Sequence, residues 1–530
     1  MQRRSLPLAL RAAVSALCAL AAACQAPEPA PFGDLTLPAA SEHHLVLADR
    51  AAKSLIAFRL EDGEVTLRRD IPLSGTPDGS PIAIDGSDTV LVLEPDARAL
   101  DRVDLGSGDV TPIALGAPFT RIVLTPDGKA ALAFAPYGDS AEAFNNANEV
   151  ALVDLASTQV ARRTLASLGG APLFVAFSPE LDGPTGPRHY AFVASDEHLA
   201  IVNMAAPTMV ERSVPLVSLT AGGQRTPTAI SFGVQTNSVG APSLWGIVTT
   251  AETTAVYALE VVPLPGAPTD FDVHLVQLAG MGPGGAATLA NLAGTASDGV
   301  TKLVVLATNP SQGTLTLTDL DTANGVATTL ATGLDRIALF DTADGTPSAI
   351  VWSSYGGGTL YTVDLEALAA GRDRVATTHA IKYPFTAVTR IDQTALFLTT
   401  PRNPADPVLV FDAETDRVTP FSHAGRFYEA SIDPAAGRLH AIVSEPDGAS
   451  WLVTIELATF HTEAAPIPGA GSHHYRFARG AHTIATFAIG ASGYFDASSV
   501  VLWPADLPAA TESLALGSFI LEGVFQGGAR

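Results

Sequence analysis

At 530 residues the chain is long enough for one large repeat domain or several ordinary ones, and its composition narrows the choice. It is 47% hydrophobic and only 16% charged, with 46 glycines and 38 prolines scattered at turn-like intervals, which excludes a disordered or collagen-like chain and favours a packed all-β protein. A net charge of −24 repels phosphate backbones and excludes a nucleic acid as partner.

The N-terminus has three parts: basic Met1-Gln2-Arg3-Arg4, an apolar run over Leu6–Leu20 broken by Pro7, Arg11 and Ser15, and Ala21-Ala22-Ala23 before Cys24. The run is too short and wrongly flanked for a spanning helix and reads as a signal peptide over residues 1–23. It resembles a bacterial lipoprotein signal, with Ala21 where a large aliphatic residue is usual. The resemblance implies lipidation of Cys24, and Gln25 in place of an Asp implies passage to the outer membrane. Simple secretion after cleavage near Ala23 is the alternative. The cysteine count opposes it: with Cys18 removed, the mature chain keeps one thiol at its first position and no internal disulfide. Ala26-Pro27-Glu28-Pro29-Ala30-Pro31 then forms an extended tether within residues 24–42.

From there a hairpin pattern recurs. Val150–Thr158 is an alternating apolar segment running into Asp-Leu and a small polar turn, and Val160–Leu165 is the returning strand. Equivalent markers fall at Arg59, Asp104, Asp154, Asn203, Ala258, Asp319, Asp364, Asp412, Glu456 and Trp503, spaced 44 to 61 residues apart. A period of this size with about four short strands per unit predicts a β-propeller of about ten blades over residues 43–530, with two smaller propellers as the alternative. Unit three predicts strands over Phe119–Leu124, Ala130–Ala135 and the hairpin pair, with a long loop over Pro136–Glu149. No window keeps a helical period beyond about two turns.

L-T-P-D-G-K-A-A-L-A-F from Leu124, followed by V-A-L-V-D-L-A-S-T-Q-V, resembles the YVTN and lactonase-like propeller repeat, and F-S-P-E-L-D-G at Phe177 is a looser copy. The resemblance implies architecture and no activity. Unit one begins near His44 and reads as lacking a first strand, while Phe519–Gln526 reads as an extra strand that completes the first blade and closes the ring.

Polar and aromatic residues gather in the loops between second and third strands. The longest holds Tyr137, Asp139, Asn145, Asn146 and Glu149; others offer Asp196 with His198, Tyr355, Arg402 with Asn403, and Tyr494 with Asp496. Exposed aromatics beside amides and carboxylates suit sugars or peptide segments. Asp139, Glu149, Asp196, His198 and His379 form the set a catalytic reading would bring together near a channel mouth.

No cofactor or metal is expected. His43-His44 and His473-His474 are assigned to opposite ends of their units, in a first-to-second-strand turn and in the connection entering unit ten. Asp319-Leu320-Asp321-Thr322-Ala323-Asn324-Gly325 lacks a third oxygen ligand and a closing Glu and reads as a plain turn. Nucleophile-elbow and P-loop motifs are missing. The sequence therefore reads as an exported, lipid-anchored binding or scaffold module for an envelope protein or polysaccharide. Its contact with the membrane is through the anchor alone, and a lactonase-like or other hydrolytic propeller is the alternative.

Overall fold

A computed structural model of the chain describes residues 35–506 apart from 137–145, 166–169, 184–185, 197, 217–225, 237–241, 251–255, 265–269, 279–280, 283, 293–301, 321, 323, 343–344, 356–357, 373–374, 382–384, 392–393, 400–408, 413–415, 421–425, 434–435, 446–447, 457–458, 460, 469–471 and 490–494. No described helix is long and apolar enough to cross a membrane.

The described strands form nine four-stranded sheets, one three-stranded sheet and one small hairpin. In each of the ten main sheets four or three strands follow one another as an antiparallel meander, and the fourth to seventh sheets stack face to face in turn: the protein is a β-propeller. The third sheet, Arg121–Leu124, Ala130–Phe134, Glu149–Asp154 and Val160–Thr164, matches the sequence expectation within two residues at each strand end. Every repeat marker lies in the third strand of its sheet.

The position of the acid explains why it recurs. At the end of the third strand its side chain turns back to accept from the backbone of the turn: Asp104 from Ser107 N at 2.8 Å, Asp154 from Ala156 N at 2.9 Å, Asn203 from Ala205 N at 3.0 Å and Asp319 from Thr322 N at 3.1 Å. In the seventh sheet the same acid, Asp364, caps a five-residue helix, Leu365–Ala369, accepting from Ala367 N at 2.8 Å. Backbone donation also holds the Asp154 carboxyl below its ordinary pKa, with Ser157 N contributing most.

Second strands are apolar on both faces, because both faces are covered by neighbouring sheets. Tyr190–Ser195 is buried throughout, and in Pro347–Trp352 all six residues are buried as well. Fourth strands such as Val160–Thr164 and Gly325–Thr329 alternate between exposed and half-buried, as the outer edge of a blade requires.

The chain divides into two compact units, residues 1–92, 103–110 and 463–530, and residues 93–102 and 111–462. In the first, the first sheet (Ala39–Ala40, His44–Asp49, Ser54–Glu61, Glu64–Pro72) packs on the tenth (Ser472–Ala478, Thr483–Ile489, Phe495–Pro504). Leu45, Leu47 and Phe58 share one core with Phe487, Val500 and Leu502. Gly63 N donates to Thr483 Oγ1 at 2.9 Å, Asp62 N to Ala481 O at 3.1 Å, and Arg476 Nε to Pro38 O at 3.0 Å. In the second unit, shared cores join the third to the fourth sheet, the fourth to the fifth, the fifth to the sixth, the sixth to the seventh and the seventh to the eighth.

Two expectations are corrected. Unit one has its own first strand, Ala39–Ala40, paired with Val46 and Leu45; two alanines carry no alternation that a sequence pattern can register. The fold therefore takes in residues assigned to the tether, and Leu35 also bridges to Asp49. His473 and His474 lie within the first strand of the tenth sheet, not in the connection before it. The expected closing strand Phe519–Gln526 lies outside the described residues.

Candidate functional site

In a meander the second-to-third-strand loops open at one end of the sheet, and the first-to-second-strand turns at the other. Each end carries one arrangement of interest in the second unit.

The loop end is built around Tyr355, between Pro347–Trp352 and Gly358–Asp364 of the seventh sheet. Asp335, buried, accepts from Ser354 N at 2.7 Å and from Ser354 Oγ at 2.5 Å, and this clamp fixes the loop. The next side chain is thereby held outward, and Tyr355 is 86% exposed. Beside it lies a cleft of about 520 Å³ lined by Pro310, Thr332, Gly333, Asp335, Ser353 and Thr359, among others. The sixth sheet supplies its floor: Leu330 N donates to Gly313 O at 2.6 Å and Gly333 N to Pro310 O at 2.7 Å, stitching the outgoing connection to the loop Asn309–Gly313. Gly313 is required there, since its φ is +65° and a Cβ would lie 2.8 Å from the Ala331 carbonyl carbon. A protruding aromatic over a cleft of small and hydroxylic residues offers a flat apolar face with hydrogen-bonding partners beside it.

At the turn end, the third and fourth sheets present two copies of one turn. Thr125 Oγ1 accepts from Ala130 N at 3.0 Å, and Ser178 Oγ accepts from Tyr190 N at 2.9 Å. Asp127 and Glu180 follow the prolines of these two turns. The fourth sheet inserts a hairpin, Leu181–Gly183 with Gly186–Arg188, before its second strand. His189 closes that insertion with its side chain turned to Asp127 and Glu180; the three ligand-type atoms lie within 4.8 Å of one another. Burial would raise the Asp127 pKa, but donation from Thr125 Oγ1 and Lys129 N outweighs it and the net shift is downward.

In the first unit, Asp88 gathers four donors from the turn ahead of the second strand: Ser41 Oγ at 2.8 Å, His43 N at 2.9 Å, and the Nδ1 atoms of His43 and His44 at 2.9 and 3.1 Å. Partial burial would raise its pKa; the four donors together bring it down to about 2. Burial lowers the His44 pKa and Asp88 only partly opposes this. Every oxygen of Asp88 is occupied, so this cluster is a clamp between the first and second sheets.

Of the residues singled out from sequence, Tyr355 is exposed in the second-to-third-strand loop of the seventh sheet. Asn146 and Asp196 are exposed at loops of the third and fourth sheets. Glu149 receives Arg162 Nε at 2.7 Å, and His198, buried in the third strand of the fourth sheet, sits 3.4 Å from the Asp196 carbonyl oxygen. Asp496 lies in the last described strand. Tyr137, Asp139, Asn145, Arg402, Asn403 and Tyr494 lie outside the described residues. The catalytic set does not converge among its described members: His379 is in an outer strand, 3.1 Å from Asp416 Oδ1 of the next sheet. Asp319 is spent on its turn and on Lys302 Nζ at 3.5 Å, as a plain hairpin requires.

Sequence reading missed the grouping of Asp127, Glu180 and His189. Its trace is the match of S-P-E at Ser178 to T-P-D at Thr125, which sets two acids at one position of adjacent sheets.

The chain matches no protein-family model and no curated protein. Among solved structures it is similar to dihydro-heme d1 dehydrogenase NirN in complex with DHE, at 14% identity over 84% of this chain and 76% of that one, with a TM-score of 0.40. It is also similar to the Dos1 propeller, at 12% identity over 69% and 88% with a TM-score of 0.40, and to apo AztD of Citrobacter koseri, at 12% over 73% and 84% with a TM-score of 0.31. These likenesses concern the fold and transfer no activity.

Proposed function

We propose that this propeller is a non-catalytic binding module of the bacterial cell envelope, exported under its N-terminal signal and anchored through Cys24, that holds a polysaccharide at the loop end of its sheets. The single observation that carries the reading is Tyr355, 86% exposed and braced over a cleft of about 520 Å³. A tyrosine ring stacks on the apolar face of a pyranose, and the flanking Ser353, Thr332 and Thr359 hydroxyls meet its equatorial hydroxyl groups. The acidic chain disfavours an anionic polymer, so a neutral or amino-substituted glycan fits best. The separate partners of Glu149, His198 and His379 favour binding over the hydrolytic alternative.

The test is calorimetric titration of the full chain with neutral envelope oligosaccharides, alongside Tyr355→Ala. Saturable binding that falls at least about tenfold in the variant, the size expected for a stacked aromatic anchor, supports the reading. Equal binding by both proteins, or capture of an envelope protein by the same loops with no glycan response, sinks it. Loss of radiolabelled-lipid incorporation in Cys24→Ser is expected of the anchor, and unchanged membrane association of that variant would remove it.

A further inference from the structure

The geometry points to a site for a divalent transition cation, zinc in type, held by Asp127, Glu180 and His189 across the turns of the third and fourth sheets. It lies at the opposite end of its sheets from the Tyr355 loop and stands independently of the glycan reading.

His189 carries the argument. Its side chain is only 8% exposed, and its Nδ1 lies 3.0 Å from the Ser178 carbonyl oxygen. A carbonyl can only accept, so Nδ1 carries a proton, and in the neutral ring the Nε2 lone pair is left facing outward. Nε2 has no hydrogen-bond partner; it is aimed at Asp127 Oδ2, 3.7 Å away, and Glu180 Oε2, 4.0 Å away. In the neutral ring an acceptor thus faces two acceptors, an arrangement that a cation placed between them relieves. A histidine fixed through its other nitrogen by a backbone carbonyl is also how proteins orient an imidazole toward a metal.

The carboxylates are set for the same role. Thr125 Oγ1 and Lys129 N both donate to Oδ1 of Asp127, at 2.7 and 3.1 Å, which orients that side chain and leaves Oδ2 toward His189. One imidazole and two carboxylates balance a doubly charged ion. Tetrahedral zinc with bonds near 2.1 Å places its donors roughly 3.4 Å apart, so the observed spacings close by a rotation of the half-exposed Glu180 side chain. Nitrogen in the set selects against calcium and magnesium, which take oxygen. Three protein ligands leave one position for water.

One group competes. Lys129 Nζ lies 3.3 Å from Asp127 Oδ2, but its side chain is 73% exposed and is free to swing into solvent when a doubly charged ion arrives.

The experiment is titration of the EDTA-stripped full chain with zinc chloride, read by calorimetry and by the thermal midpoint. One equivalent of zinc is expected to bind and to raise Tm, because an ion that binds only the folded state stabilises it. His189→Gln and Glu180→Gln should each weaken binding by at least about tenfold, and Lys129→Met should tighten it by removing the competing ammonium. Calcium should give no heat. The site is refuted by an absent zinc response in the wild-type chain, by equal affinity in wild type and His189→Gln, or by calcium binding as tight as zinc. If the glutamine variants fail to fold, Lys129→Met still decides: unchanged affinity there refutes it.

Discussion

Lys129 and His189 occupy the same place in successive sheets, each accepting a 3.0 Å hydrogen bond through its carbonyl oxygen from the residue just beyond the third strand, Leu155 in one case and Met204 in the other. The turn frame is therefore shared and only the side chain differs: an exposed lysine in one sheet, a buried histidine in the next. The frame depends on a hydroxyl that accepts a strand NH. Removing it by Thr125→Ala or Ser178→Ala should cost about 1–3 kcal/mol in each case, because a backbone donor is left without its acceptor. Lys129→Ala, which leaves the frame intact, should change urea stability by less than about 0.5 kcal/mol. A loss in the lysine variant as large as in the hydroxyl variants would disprove the equivalence.

The clamp on Asp88 predicts an acid limb in two stages. His44 has its pKa lowered in the fold, so the unfolded chain binds its proton first; the stability contributed by the neutral ring is complete above the ordinary value of 6.5 and declines as pH falls below it. Asp88 is lowered from 3.8 to about 2, so its contribution is complete above 3.8 and is lost as pH falls through about 2. Asp88→Asn should remove the lower stage and cost about 1 kcal/mol at pH 7, a modest figure because the carboxylate is partly solvated. Denaturation midpoints measured from pH 8 to pH 2 check this. A variant whose acid limb overlays that of the wild type would show that the clamp contributes nothing.

The spacing of Asp104, Asp154, Asp319 and Asp364 made the repeat legible, since each ends a third strand and each closes its turn through its own carboxylate. A local hydrogen bond leaves a local signature, and so the sheet count and the Tyr355 loop were open to reading. Contacts across sheets leave none. His189 is 62 residues from Asp127 in sequence, and the inserted hairpin Leu181–Arg188 that delivers it breaks the very spacing used to align the turns. The placement of His473 failed for a related reason: the buried face of Ser472–Ala478 is made by His473 and Tyr475 with half-buried Phe477 beside them, and a histidine at a core position does not register as apolar.

Adjacent arginines in the outer strand of the third sheet separate two kinds of ion pair. Arg162 turns to Glu149 of its own sheet and is 45% exposed, whereas Arg163 turns the other way, to the buried Glu211 and the Pro207 carbonyl of the fourth sheet. Arg69 makes a comparable latch in the first unit, donating to Leu105 O and Gly106 O of the second sheet. Arg163→Met should cost more than Arg162→Met, because the Arg163–Glu211 pair is the more deeply buried of the two. Chemical denaturation of the two single variants distinguishes them, and equal losses would mean that Glu211 is hydrated when its partner is gone.

Contact between the first and last sheets is tested most directly at Gly63. It lies in the turn between Ser54–Glu61 and Glu64–Pro72 with φ at +87°, and a Cβ there would come within 2.8 Å of Pro504 N and 2.7 Å of Pro504 Cδ in the last strand of the tenth sheet. Alanine at this position meets two penalties, the left-handed backbone and a backbone atom that cannot move without unpairing Thr483 from Pro504. Gly371 meets only the first: its φ is +67°, and nothing lies within 4 Å of its missing Cβ. Gly371→Ala should therefore cost about 1–2 kcal/mol, and Gly63→Ala clearly more, about 3 kcal/mol or above. The excess belongs to the packing of the first sheet on the tenth. Phe487→Ala, in the core those sheets share, should cost about 3–5 kcal/mol and open the same region to hydrogen exchange first. If Gly63→Ala and Gly371→Ala lose the same stability, the first sheet does not rest on the tenth in solution.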